Sequence, residues 1–160
     1  MNKHTSLYRP NVGVLVINKS GKVLVCQRSD VKPEDLPWQM VQGGIDEGES
    51  PLNAALRELK EETNIQTNEI EQIEFWDDYQ YYDFPIDQVT PYSEIVGQKQ
   101  KWLVVKYLKD DNSIDLEKAE EKEFNDYKWV KMTEAIELIW KPKKAIYRRL
   151  AQRYKHLLAM

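Results

Sequence analysis

Three glutamates stand close together in the stretch GGIDEGESPLNAALRELKEETNI, which runs from Gly43 to Ile65. Glu58, Glu61 and Glu62 fall within five residues. At about 100° per residue they share one face of the helix that we predict over residues 51–63. Like charges at this spacing repel each other. A divalent cation would turn the repulsion into attraction, because clustered carboxylates are the ligands that Mg²⁺ and Mn²⁺ prefer.

The alternative is a solvated acidic helix face that binds nothing. Two features weigh against it. The face has no Lys at i,i+4 that could pair with the glutamates, and it follows Gly43 and Gly44, where the backbone can approach a ligand closely. We expect the small side chains of Ala54 and Ala55, one turn earlier, to leave room for that ligand.

The order of the predicted strands and helices around this helix indicates an α/β (α+β) fold, in which helices pack on a mixed sheet. Ser50 is a good N-cap and Pro51 suits the first helical position. The apolar stripe beside the acidic one, which we expect to enter the core, consists of Leu52, Leu56, Leu59 and Thr63. The predicted strands cover residues 11–17, 23–27, 38–41, 70–82 (an edge strand or hairpin), 101–107 and 127–130. The later helices are predicted over residues 133–139 and 144–158.

Composition limits the class of protein. The 160 residues fit one domain over 1–160, and 41% hydrophobic with 31% charged residues is typical of a soluble globular chain. No run of 18 apolar residues occurs, so we expect no membrane span. The single cysteine, Cys26, excludes an internal disulfide and favours a cytoplasmic location. Acids concentrate in residues 61–98 and bases in residues 141–160, either as two solvated faces or as a cation-binding side next to a phosphate-attracting arm.

The glutamate stretch resembles the signature of the Nudix hydrolases. That signature reads Gly, five residues, Glu, seven residues, then Arg-Glu-U-x-Glu-Glu-x-Gly-U, where U is aliphatic. The matching residues are Gly43, Glu49, Arg57, Glu58, Leu59, Glu61, Glu62 and Ile65. Asn64 departs from the signature Gly, but Asn is the next most tolerant residue of a left-handed conformation, so we expect it to end the helix.

The resemblance implies the Nudix fold, a mixed β-sheet sandwiched between α-helices. It implies attack of water on a phosphorus of a nucleoside diphosphate that is linked to another group. Glu58, Glu61 and Glu62 would then bind Mg²⁺ or Mn²⁺, with Gly43 at the same metal site. Arg57 would orient the cluster and complete the catalytic set of Arg57 and the three glutamates. Which carboxylate acts as general base varies across the family and stays open.

Other segments resemble one bacterial subgroup, the RNA pyrophosphohydrolases, also described as dinucleoside polyphosphate hydrolases. These segments are YRPNVGVLVIN, WQMVQGG, GQKQKW, EFNDYKWV and KKAIYRRL. Enzymes of the subgroup remove pyrophosphate from the 5′ end of triphosphorylated RNA, which admits ribonucleases and promotes mRNA decay. The same pocket can hydrolyse Ap₄A-type dinucleotides. The implied partner here is a 5′-triphosphate RNA end or a dinucleoside polyphosphate, and we expect a monomer with no DNA or membrane partner.

The residues that could contact the polyphosphate are Arg9, Gln98, Lys99 and Lys101. Arg suits bidentate phosphate contacts and Lys acts as a point charge. For the two lysines, an ordinary exposed strand edge is the alternative. The subgroup implies one more metal ligand at Glu123, in preference to Glu120 and Glu121, which read as a solvated charge run.

Single-stranded RNA ends are held by stacking bases on aromatic or Arg planes. In the subgroup this wall consists of an Arg matching Arg28 and a Phe-Lys pair, which here reads Pro142-Lys143. The Phe is missing. Trp140, two residues earlier, is a candidate replacement, and a core aromatic is the alternative.

Two rival functions remain besides a dinucleoside polyphosphate hydrolase. A Nudix-fold binding protein without catalysis would usually have lost a carboxylate of the signature, and this chain keeps all of them. A basic-helix RNA-binding module would leave the glutamate helix unexplained.

Overall fold

The computed structural model describes residues 7–89 and 94–160, and it places a mixed sheet between helices, as expected. The strands are β1 (Tyr8–Ile17), β2 (Val23–Arg28), β3 (Trp38–Gln39), β4 (Val41–Gly44), β5 (Ile70–Asp83), β6 (Gly97–Tyr107) and β7 (Phe124–Val130). The helices are α1 (Pro51–Thr63), α2 (Met132–Leu138) and α3 (Lys144–Arg153). Among residues 7–89 and 94–160, none of the helices has the length and apolar character of a membrane span.

Strand β1 is the centre of the sheet, whose main path runs β3-β2-β1-β6-β5. Along one edge β1 pairs in parallel with β6 over its whole length, from Tyr8 opposite Gly97 to Ile17 opposite Lys106. Along the other edge it pairs antiparallel with β4 and then with β2, while β7 pairs with β2. Strand β5 lies at the edge of the sheet, which decides between the two forms predicted for it.

The two faces of the sheet carry separate hydrophobic cores, because successive side chains of a strand point to opposite faces. On one face Val12 and Leu103 pack with Leu59 of α1. On the other face Trp102 packs with Tyr147 of α3. Each strand of the central pair therefore contributes to both cores, and α1 is fixed on the opposite face from α2 and α3.

Several predicted boundaries were wrong, including those of β1, which begins at Tyr8 instead of 11, and β7, which begins at Phe124 instead of 127. In three further cases a distant pairing overrode the local pattern. The strand predicted over 38–41 is two strands that separate at Met40, since β3 pairs with β2 and β4 with β1. Strand β6 begins at Gly97 instead of 101, because β1 supplies a partner for each added residue. Helix α3 ends at Arg153 and not at 158, because the chain turns back and Ala159 N–H donates to the Gly21 carbonyl at 2.8 Å.

Helix α1 has the predicted bounds and caps. Asn53 N–H donates to Ser50 Oγ at 3.1 Å, and Asn64 ends the helix with φ 62°, in the left-handed region. The expectation for Ala54 and Ala55 was wrong, because both are fully buried. Their small side chains let α1 lie close against the sheet instead of leaving room for a ligand.

The conformation of Asn64 leads to a stability prediction. We expect Asn64→Ala to lower the free energy of unfolding by about 1–2 kcal/mol, because a Cβ without a polar end disfavours positive φ. Asn64→Gly is the control, since Gly adopts this conformation freely, and we expect it to match the wild type. Urea unfolding measures both. An equal loss in the two variants would mean that the Asn64 side chain, which accepts from Gln66 Nε2 at 3.1 Å, is what stabilises the turn.

Candidate active site

The guanidinium of Arg57 joins the glycine loop to the glutamate helix. Its Nε and Nη2 donate to Glu49 at 2.8 and 3.0 Å, and Nη2 also donates to the Gly44 carbonyl at 2.9 Å. Its Nη1 donates to Glu58 at 2.9 Å and to Glu61 at 3.0 Å. The idea that the acidic face gains no pairing was wrong, because Arg at i−4 from Glu61 takes the part that Lys was expected to play. All five N–H groups of the guanidinium are thus used.

Two of the three glutamates lie deeper than the helix wheel predicted. Glu58 is 8% exposed and Glu62 is 2% exposed, whereas Glu61 is half-buried. Burial raises the pKa of the Glu58 carboxyl. Burial also raises the pKa of Glu62, and the hydrogen bond and charge of Glu123 add to that shift. Gly43 lies directly against Glu58, since a Cβ there would collide with the Glu58 carboxyl group.

Carboxylates from a second segment join the helix cluster. Oxygen atoms of Glu58, Glu61 and Glu121 lie within 4.8 Å of one another, and so do those of Glu62, Glu121 and Glu123. The structure therefore brings Glu123, from far along the chain, next to Glu62 of α1. It also brings Glu121 to the cluster, although the sequence pattern had indicated only a solvated charge run at this position.

This donor set fits a divalent cation. It consists of carboxylate oxygens, the ligand type that suits Mg²⁺ and Mn²⁺. Glu62 Oε2 is buried and has no hydrogen-bond partner among the described residues. A buried oxygen without a partner is costly unless a ligand satisfies it. A bound cation would also reverse the rise in carboxyl pKa that burial causes.

The residues expected to contact polyphosphate are divided between the faces of the sheet. Lys99 and Lys101 share a face with α1, and their Nζ atoms lie 4.5 and 4.7 Å from the centre of the Tyr79 ring. Gln98 lies on the α3 face, where its Oε1 accepts from Tyr82 O–H at 2.5 Å. Period-two alternation along β6 causes this division, so that the run from 98 to 101 is not one cluster.

An open cavity of about 420 Å³ lies beside the N-terminus of α1. Arg9 and Tyr79 line it together with Gly44 and Glu49. Glu49, which lines this cavity, accepts from Arg57, and Arg57 in turn donates to Glu58 and Glu61. Asp77 forms an ion pair with Lys101 at 2.7 Å, so this lysine is partly neutralised when no anion is bound.

A second cavity, of about 280 Å³, lies on the α3 face. Arg28, Trp140 and Lys143 line it together with Gln39, so the structure brings the three predicted base-wall residues together. Arg28 lines this cavity and also forms a bidentate ion pair with Asp30. Trp140 is partly buried: it packs against the core on the α3 face and also lines the cavity.

Lys143 is buried at the base of this second cavity. Its Nζ donates to Gln42 Oε1 and lies 5.7 Å from the centre of the Tyr82 ring. Burial, with a smaller effect of the nearby Arg28, lowers the pKa of Lys143 to about 7. The sequence pattern did not indicate that Gln42 belongs to this site. The WQMVQGG segment contains it, but its contact with Lys143 depends on tertiary structure.

Tyr79 and Glu121 were also missed. The aromatic residues in the second half of β5 were the available signal for Tyr79, yet its lysine neighbours come from another strand. For Glu121 the signal was proximity to Glu123, which does not separate a ligand from a solvated acid. The functional relevance of both residues follows from contacts with segments that are distant in sequence.

The comparison with known families agrees with this geometry. The family model described as the NUDIX domain matches residues 7–150. The chain therefore belongs to the Nudix family.

Curated relatives extend the likeness over nearly the whole chain. A protein of Novosphingobium aromaticivorans described as an RNA pyrophosphohydrolase is 36% identical over 153 residues, 94% of this chain and 94% of the relative. One of Pelagibacter ubique with the same description is 36% identical over 159 residues, 98% of each. The crystal structure of a C. elegans Ap₄A hydrolase binary complex has a TM-score of 0.64 and 21% identity, covering 91% of this chain and 98% of that one. This last likeness shows the shared fold.

The buried ammonium of Lys143 leads to a pH prediction. With a pKa of about 7 in the folded chain, against about 10.4 for a free Lys, the unfolded chain binds more protons between these values. The contribution of Lys143 to stability therefore rises with pH from about 7 to 10, by at most about 1.4 kcal/mol per pH unit. We expect wild type to gain stability relative to Lys143→Met over this range in urea unfolding.

The control for this prediction is Lys141→Met, which removes an exposed lysine of the same turn. Its stability difference from wild type is expected to stay constant from pH 7 to 10. A constant difference for Lys143→Met as well would contradict the lowered pKa.

Proposed function

We propose that this Nudix pyrophosphohydrolase removes pyrophosphate from the 5′ end of triphosphorylated RNA and leaves a 5′-monophosphate. The observation that carries the proposal is the group of carboxylates that converges on α1, on the same face of the sheet as Lys99 and Lys101. Carboxylates and cations side by side suit a substrate that is bound as a metal–polyphosphate complex. The near full-length similarity to RNA pyrophosphohydrolases supports RNA as the substrate.

In this proposal Glu58, Glu61, Glu62 and Glu123 hold the metal, with Gly43 beside it. A bound Mg²⁺ or Mn²⁺ supplies Lewis-acid activation of phosphoryl oxygens and of the attacking water. Arg57 keeps Glu58 and Glu61 in place through its Nη1 group. Its own pKa is raised, first by the hydrogen bond to Glu49, so it stays charged at any working pH.

The phosphate groups would be bound by Arg9, Lys99 and Lys101. Tyr79 lies between the two lysines and keeps their Nζ atoms on one ring, which limits their freedom before an anion arrives. An anion would compete with Asp77 for Lys101. The lysines then neutralise charge that builds up on the departing pyrophosphate.

The nucleobase would be bound in the second cavity. Arg28 and Trp140 offer planar surfaces for stacking there, and Lys143 offers a donor at its base. Gln98 acts indirectly in this scheme, because its Oε1 holds the Tyr82 hydroxyl and the Tyr82 ring faces Lys143. Trp140 takes the part of the missing Phe in this scheme.

We further propose that the protein acts in the cytoplasm as a single-domain monomer, with neither DNA nor membrane as a partner. The single cysteine supports the cytoplasmic location.

The deciding experiment offers purified protein and Mg²⁺ both a 5′-triphosphate RNA and Ap₄A. We expect pyrophosphate, or phosphate in two steps, from the RNA, and loss of turnover in Glu61→Gln with an unchanged melting temperature. The matched control is Glu71→Gln. Glu71 is an exposed glutamate near the start of β5, opposite Lys106, and this variant should keep wild-type turnover. Turnover of Ap₄A alone would assign the protein as a dinucleoside polyphosphate hydrolase instead.

A second prediction concerns Trp140. We expect Trp140→Leu to raise KM for the RNA by roughly 5- to 150-fold, as loss of one base–aromatic stack implies, with a smaller change for Ap₄A. Trp140→Phe keeps a ring and should restore most of the affinity. Leu retains apolar volume, so equal losses on both substrates would mean that Trp140 acts only in core packing.

A further inference from the structure

We propose that Glu121 is an additional metal ligand of this chain, and that it bridges two divalent cations. The inference rests on the proposed function, since it concerns the same metal centre. Glu121 belongs to both groups of three carboxylates, one with Glu58 and Glu61 and the other with Glu62 and Glu123. In each group the oxygen atoms lie within 4.8 Å of one another, so one carboxylate with two oxygens can serve both.

The backbone on both sides of Glu121 is anchored to the site. Glu121 N–H donates to the carbonyl of Glu61 at 3.0 Å, which ties the segment to α1. Two residues later, the Glu123 carbonyl accepts from Ser29 N–H at 3.0 Å and from Ser29 Oγ at 3.0 Å. The approach of Glu121 to the cluster is therefore built into the fold, although its side chain is exposed.

An independent observation indicates that a ligand belongs between these groups. Glu62 Oε2 is an unpartnered oxygen of a side chain that is 2% exposed, and Glu62 is a member of the group that contains Glu121. A cation held by Glu62, Glu121 and Glu123 would satisfy that oxygen. In the metal-free chain this unpartnered oxygen is destabilising. An ion that satisfies it would recover that free energy on binding, which raises the affinity for the ion.

The charges nearby also favour more than one cation. Five carboxylates converge here, those of Glu58, Glu61, Glu62, Glu121 and Glu123. The guanidinium that bonds to this group donates to two of its members and is shared with a further carboxylate outside it. The lysine between the two loop glutamates donates its Nζ to carbonyl oxygens of its own loop instead. Two divalent ions held by these residues would balance the remaining charge.

The test is Mn²⁺ binding to the purified full-length protein, followed by electron paramagnetic resonance without substrate. We expect two bound ions with spin coupling in wild type. In Glu121→Gln we expect at least about tenfold weaker binding of one ion and loss of the coupling. Glu120→Gln removes the neighbouring exposed acid, which lies outside both groups as far as the described residues go, and should bind Mn²⁺ as wild type does.

Thermal melting separates a ligand from a structural residue. Without metal, Glu121→Gln removes repulsion and should melt at the wild-type temperature or higher, while saturating Mn²⁺ should raise its melting temperature less than that of wild type. A structural role would lower the melting temperature under both conditions.

Two outcomes overturn the inference. These are wild-type affinity and stoichiometry in Glu121→Gln, or a single uncoupled Mn²⁺ in the wild type. Either would leave RNA hydrolysis untouched as a proposal. Conversely, coupled Mn²⁺ that depends on Glu121, in a protein that turns over no triphosphate RNA, would uphold the inference and reject the proposed function.

Discussion

The site depends on the placement of one guanidinium among carboxylates that the fold partly buries. Removing a carboxylate from water is costly, and a buried charge is tolerated when it is paired and hydrogen-bonded. Arg57 meets this need with all of its N–H groups, reaching across α1 to Glu58 and Glu61 and back to Glu49 and the Gly44 carbonyl. Loop and helix are therefore held at one distance. A Lys could not do this, because a single ammonium has no planar fork.

The Glu62 carboxylate, which Arg57 does not pair with, makes the site unfavourable without a metal ion. Among the described residues Arg57 donates no hydrogen bond to Glu62, whose Oε2 is buried without a partner, and the Glu62 carboxylate lies near those of the loop before β7. The metal-free arrangement is thus poorer in free energy than an apolar core of the same shape would be. Any cation that binds the folded chain more tightly than the unfolded one adds stability by mass action. Folding and cofactor binding are therefore linked at this end of α1.

Local chemistry was predictable and long-range placement was not. The bounds of α1, its Ser50 cap and the left-handed Asn64 follow from residues within one or two turns of each other. The burial of Ala54 and the start of β6 depend on which strand lies alongside, and no local pattern contains that information. Within the site, spacing predicted that the three glutamates of α1 share one face of the helix. Glu121 could not be separated from its acidic neighbours until the backbone bond to Glu61 placed it.

The same division applies to the missing Phe before α3. Pro142 lies in a short 3₁₀ turn in which Lys143 N–H donates to the Trp140 carbonyl at 2.9 Å. Because the turn is this tight, residues three apart in sequence lie side by side, and a ring at 140 borders the same cavity as the side chain at 143. The Tyr82 ring contacts both, edge-on to Trp140 at 6.3 Å and under the Lys143 ammonium. The local geometry of the turn thus provides an aromatic surface without an aromatic residue at position 142.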